Sequence, residues 1–183
     1  MTTSASATPV QGRRHEARYG RCLEEFSVGD SFVHRPGRTV TEGDHQLFCL
    51  LTGALNPIHV DRAAAARVPV FGRITVVGTY VYAIVAGLSG ADVGGSAIAN
   101  LGLDGLEHTA PVFLGDSLYA DSEVLGVRPS ASDDSRGVVT IETRGWNQDN
   151  LLVCWFTRSL LVWRRHALPD PPPVGHPPGP SGP

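Results

Sequence analysis

The chain has 183 residues, enough for one ordinary domain and short for two, and its hydrophobic fraction of 42% is sufficient for a real core. A net charge of -3 argues against a nucleic-acid partner, because proteins that bind nucleic acid carry a basic face. All 15 basic residues are Arg, so Schiff-base chemistry and a phosphate-binding Walker lysine are both excluded.

The first nineteen residues are small and polar, then rich in Arg. They contain no apolar run, which speaks against a signal peptide, and they are expected to be disordered. The segment "SFVHRPGRTVT" reads as a strand interrupted near Pro36. "TEGDHQLFCLLTG" predicts a helix with Thr41 as N-cap, and Glu42 and Asp44 in its first turn suit the positive end of the helix dipole. Leu47, Phe48, Leu50 and Leu51 supply its apolar side, and Gly53 ends it. "NPIH" follows as a turn, then "DRAAAARV" as a short helix capped by Asp61, then a loop from Pro69 to Arg73.

From Ile74 to Ala91 the chain carries no charge. The length is near the lower limit for crossing a bilayer. Its glycines, tyrosines and threonines, and the absence of flanking basic loops, favour a buried core helix and no membrane span. After Gly95 the pattern becomes period two: "AIANLGLDGLEHT", "DSLYADSEVLGVR", "GVVTIETRGWNQ" and "LLVCWFTRSLLVWRR" read as strands. "NQDN" joins the last two as a hairpin, and "PSASDDSRG" is a polar exposed loop. From Ala167 the Pro/Gly-rich tail cannot continue a ladder and is expected to be disordered. The folded part is therefore residues 20–166, without internal repeats. One long apolar helix needs cover on all sides, so the expected fold class is α+β, a single domain with an antiparallel sheet wrapped around that helix.

Cys22, Cys49 and Cys154 are far apart and form no CxxC, as expected of reduced thiols in a cytoplasmic protein. The His residues have no metal-ligand spacing, so neither metal nor cofactor is implied.

The stretch "RTVTEGDHQLFCLLTGALNPIHVDRAAAARVPVFGRITVVG" resembles the MaoC-like family of acyl-CoA hydratases and dehydratases, as does "APVFLGDSLYADSEVLGVR". The likeness covers residues 25–163. The "GRTVTE" opening and the turn near Asn147 are similar to the branch of mesaconyl-CoA hydratases. The resemblance implies a hotdog fold, a homodimer, and an acyl thioester of CoA or of an acyl carrier protein as substrate. In the family, the turn after the first helix reads Asp-x-Asn-Pro-(Ile/Leu)-His. Asn56, Pro57, Ile58 and His59 match it, while Ala54 stands at the Asp position. The family's polar residue before the glycine of the long helix is here Val77, and Gly78 is kept.

Hydrating an enoyl thioester needs a base for the attacking water, an acid for the α-carbon and donors for the enolate oxygen. By resemblance His59 is the base, a residue type whose proton is exchanged near neutral pH. Asn56 orients His59 or a water, or caps the turn. The oxyanion site falls on the backbone N–H groups of Gly78 and Thr79, where a helix start offers unpaired donors and a glycine admits a close approach. Glu107 or His108 is a candidate for the missing acid, although only one of two strand neighbours faces inward. Tyr82, and less so Tyr80, would place a hydroxyl in the pocket. Arg73 and Arg38 would meet a phosphate or a carboxylate, or lie free on the surface.

The leading reading is a hydro-lyase with an atypical site. A second reading keeps the pocket but makes it an isomerase or cyclase of secondary metabolism, acting on a larger acyl or polyketide chain. A third is a non-catalytic acyl-CoA-binding subunit that pairs with an active homologue.

Overall fold

The period-two segments become strands because every second side chain can be buried. In the computed structural model, which describes residues 20–170, five antiparallel strands form one sheet. They are β1 (Ser31–Thr39), β2 (Ala97–His108), β3 (Ser117–Pro129), β4 (Arg136–Trp146) and β5 (Leu152–Trp163), in the order β1-β3-β4-β5-β2. On β5 Cys154, Phe156, Arg158, Leu160 and Val162 are buried and the residues between them half-exposed, while Val153 at the strand's start is buried as well. The β4–β5 hairpin turns at Asn147–Asn150, where Asn150 takes the left-handed conformation, φ 57°. In β1 the register slips between His34 and Arg38, around Pro36, which has no N–H for the ladder.

Four helices follow: α1 (Glu42–Thr52), α2 (Pro57–Val60), α3 (Arg62–Ala65) and α4 (Gly78–Leu88). Thr41 caps α1 through the Asp44 N–H, and Gly53 closes it at φ 70°. Asp61 caps α3, accepting from Ala63 and Ala64. "NPIH" is more than a turn, since Pro57–Val60 completes one helical turn with Asn56 as its N-cap.

The buried side of α1 differs from the expected one. Leu47, Leu50 and Leu51 are all more than half exposed. His45 and Cys49, one turn apart, are fully buried, with Phe48 beside them. Hydropathy alone pointed at the leucines. The imidazole of His45 has a specific partner inside, which outweighs them.

The central helix is also shorter than its apolar run. Residues 74–77 stay extended because Thr75 bridges to Phe113 and the Val76 N–H donates to the Val112 carbonyl at 2.8 Å. The helix therefore starts at Gly78, and after Leu88 the backbone widens into a π-helical turn, Gly90–Gly94. Tyr80, Val81, Ile84 and Val85 are buried, with Phe156 and Leu118 of the sheet in the same core. The opposite face, Thr79, Ala83 and Gly87, is exposed in the single chain, so the cover is not complete on all sides as expected. α4 comes so close to β4 that a Cβ on Gly145 would lie 2.5 Å from Val85 Cγ2. Among the described residues no helix is long and apolar enough to cross a membrane.

A second apolar cluster, with Leu23, Phe26, Val93, Val139 and Leu160, fills the other end of the sheet. A buried polar chain accompanies the two. His34 Nδ1–H donates to Asp92 Oδ2 on the π-helical turn (2.8 Å), and its Nε2 lies 2.8 Å from Ser122 Oγ. Ser122 Oγ in turn lies 2.8 Å from Thr143 Oγ1. The His34 hydrogen bond holds the Asp92 carboxyl below the usual range. The acid–imidazole–hydroxyl order is that of a nucleophile relay, but Ser122 is inaccessible to solvent, and the chain instead pins the end of α4 to three strands.

Beyond β5, Arg164 pairs with Glu24 at 3.0 Å and with Asp134, and Arg165–Ala167 forms a 3-10 turn. The expected disorder of residues 1–19, and of the tail from Ala167 in its part beyond Asp170, lies outside the described residues.

Candidate active site

The site is organised by three extended residues, Thr75 to Val77, that lead into α4. α2 brings His59 onto one side of them. His59 Nδ1 is 2.6 Å from the Thr75 carbonyl oxygen, and the Thr75 N–H returns a bond to the Ile58 carbonyl at 3.2 Å. A carbonyl only accepts, so Nδ1 carries the proton and Nε2 is left with a free lone pair. Asn56 Oδ1 accepts from the Ile58 N–H at 3.2 Å, which makes it the cap of α2. Its effect on His59 is to fix the helical turn that carries it.

A cleft of about 380 Å³ opens beside His59, lined also by His45, Glu42, Asp61, Arg62 and Leu114. Neither carboxylate there is bonded to His59. Glu42 is held by Arg62, through Nε–H to Oε1 at 3.2 Å and a second bond from the other nitrogen, and that pairing keeps its carboxyl below the usual range. Asp61 is engaged as the cap of α3.

His45 went unnoticed in the sequence. Its Nε2 accepts the Val77 N–H at 3.1 Å, Cys49 Sγ lies 3.6 Å from the same nitrogen, and its ring stands nearly perpendicular to that of His59 with centroids 6.3 Å apart. Burial, and then the neighbouring His59, push it below the ordinary imidazole range, the same direction as an Nε2 that accepts a backbone N–H and so carries no proton. The only sequence signal was His45 and Cys49 at i and i+4 in a helix whose leucines looked like the better core.

The first turn of α4 presents the N–H groups of Gly78 and Thr79, which have no partner within the helix by virtue of their position. Val77 precedes them as N-cap, its carbonyl accepting from Tyr80 and Val81. His108 lies against this turn, since a Cβ on Gly78 would sit 2.8 Å from His108 Nε2. Burial pushes the His108 imidazole below its usual range. It lines a separate cleft of about 350 Å³ with Phe71, Gly78 and Val81, in which His59 has no part.

The remaining candidates are dispersed. Glu107 pairs in register with Trp155 and accepts from its indole N–H at 3.3 Å, on the sheet face opposite to His108. Strand alternation puts its side chain on the face away from α4. Tyr82 meets Phe156 edge-on, centroids 4.8 Å apart, under the middle of α4, and Tyr80 stacks on Phe48 at 4.7 Å. The Arg73 guanidinium lies 3.6 Å from the Phe113 ring centroid, at the mouth of a neighbouring groove shared with Glu42 and Leu114. Arg38 pairs with Asp44 at 3.2 Å on the surface.

Comparison with known proteins bears on the family and the fold. Residues 25–147 match the family model described as MaoC like domain. A β-methylmalyl-CoA dehydratase of Chloroflexus aurantiacus is 34% identical over 146 residues, 80% of this chain and 41% of that protein. A mesaconyl-CoA hydratase of Cereibacter sphaeroides is 32% identical over 158 residues, 85% of this chain and 45% of that protein. The chain thus spans less than half the length of these curated relatives. A solved Mycobacterium tuberculosis protein described as a double hotdog fold superposes with a TM-score of 0.72 at 23% identity, over 85% of this chain and 47% of that one. At that identity the likeness shows the fold alone, a hotdog.

Proposed function

The chain belongs to the MaoC-like domain family, and from that premise we propose that it reversibly adds water to an enoyl thioester, with His59 as the base. The observation that carries this reading is the His59–Thr75 bond. It leaves the Nε2 lone pair as a base and hangs that base on the strap that leads to the N–H groups of Gly78 and Thr79. A thioester oxygen bound at the helix start places enolate charge against unpaired donors and the positive end of the dipole. Nε2 takes a proton from water as the oxygen bonds to the β-carbon. With alanine at position 54 and, among the described residues, no carboxylate bonded to His59, the same Nε2–H then delivers the proton to the α-carbon. Net addition of water is complete without a second acid.

Coenzyme A is favoured as carrier because the named relatives act on CoA esters, and small dicarboxylic acyl groups are favoured for the same reason. A second hotdog unit is part of the proposal. The match covers less than half of each of those relatives, the edge strand β2 of this chain exposes Ile98, Leu101 and Leu103, and α4 exposes a face of small residues. A second copy in a homodimer would cover both.

The test is turnover by the wild-type protein with crotonyl-CoA, longer straight-chain enoyl-CoAs and mesaconyl-CoA, followed as loss of the conjugated thioester absorbance. Hydration of at least one member is the expected result. A folded protein silent on all of them rules out the simple hydratase and leaves a larger substrate or a binding-only role.

A further inference from the structure

The strap Thr75–Val77 is held by two histidines, and only one of them belongs to the motif that identified the site. His59 takes the Thr75 carbonyl, and His45 takes the Val77 N–H two residues later. His45 is fully buried, yet among the described residues its Nδ1 has no hydrogen-bond partner, and it has no solvent contact. An unpaired buried donor costs roughly 1–3 kcal/mol, and a leucine of similar volume would avoid that cost. Core packing therefore does not explain an imidazole here. The acceptor at Nε2 does.

Without that acceptor the Val77 N–H would be orphaned next to the turn whose following N–H groups, those of Gly78 and Thr79, must face the substrate oxygen. We infer that His45 is a positioning residue of the hydration site: its Nε2 lone pair fixes the Val77 peptide plane and so sets the distance from the His59 base to the donors of α4. This rests on the hydratase reading for its chemistry, but the geometric part stands without it. Only the neutral ring can serve. A protonated imidazole has no lone pair for the Val77 N–H. Tyr80, 6.1 Å from His45 and stacked on Phe48, and Cys49 close the buried side of the ring without adding a charge.

Two substitutions separate positioning from packing. His45→Leu keeps volume and loses the acceptor, whereas His45→Gln supplies an amide oxygen that can take the Val77 N–H. In the turnover assay His45→Leu is expected to lower kcat by roughly 10- to 100-fold with KM nearly unchanged, the scale of a sub-ångström misplacement of reacting groups. His45→Gln is expected to recover most of that loss. Both variants should fold, and the leucine protein should melt close to wild type, because the unpaired Nδ1 it removes offsets the Val77 N–H it leaves unpaired. Should the wild type itself prove silent with every thioester, the hydratase reading fails on its own. His45 is then judged from the amide resonances of Val77, Gly78 and Thr79 in the ligand-free protein, shifted in His45→Leu and restored in His45→Gln. Wild-type kcat in the leucine variant, a glutamine variant no better than leucine, or unmoved amide resonances would overturn the inference.

Discussion

His59→Ala is expected to lower kcat about 10³-fold on any enoyl thioester that the wild type hydrates, in line with the roughly 10²–10⁴-fold contribution of one positioned acid–base group. That is about 4 kcal/mol of transition-state stabilisation. The loss should be large because a single imidazole is asked both to take the proton from water and to return it to carbon. Among the described residues no carboxylate is bonded to it to share the task, since Glu42 is held by Arg62 and Asp61 by the start of α3. KM should change little, because His59 touches the water and not the carrier. A thermal melt checks the fold, since the ring's bond to the Thr75 carbonyl and its edge-on contact with His45 are lost. Retention of more than about a tenth of wild-type kcat would remove His59 as the base.

Phe156→Ala is expected to produce the largest loss of stability. The ring is inaccessible to solvent, lies in the core under α4 and packs edge-on against Tyr82. Truncating such a ring costs about 3–5 kcal/mol, part transfer and part cavity. For a domain of this size each kcal/mol lowers Tm by about 2–4 °C, so the melting point should fall by roughly 10 °C. Differential scanning calorimetry reads this directly. A fall of only a few degrees would mean that α4 settles into the space, contrary to the tight spacing that Gly145 indicates.

Much of the fold was legible because its signals are local. Alternation along β3, β4 and β5, the Thr41 and Asp61 caps and the Gly53 stop each depend on a few neighbouring residues. The start of α4 was not legible, because it is set by pairing of Thr75 and Val76 with residues near 113, which no local pattern reveals. The buried face of α1 was misjudged for a related reason. Three leucines outweigh one histidine in hydropathy, while the Val77 N–H that draws the histidine inward comes from a segment 32 residues away. At the site, the His59 turn was visible as a motif and Asn56 as its cap. His108 and Glu107 were adjacent in sequence, and only the register against Cys154 and Trp155 shows which faces the helix.

The contact of Gly145 with Val85 bears on how this domain can drift over evolutionary time. The two positions share one volume: a Cβ at 145 meets Val85 Cγ2 at 2.5 Å and Cγ1 at 3.2 Å. Neither can grow unless the other shrinks, because close-packed interiors have no slack to lend. Substitutions at 145 and 85 should therefore appear together in related chains, a larger residue on the strand accompanied by a smaller one on the helix. A lineage that acquired either change alone would have to pass through a less stable protein first.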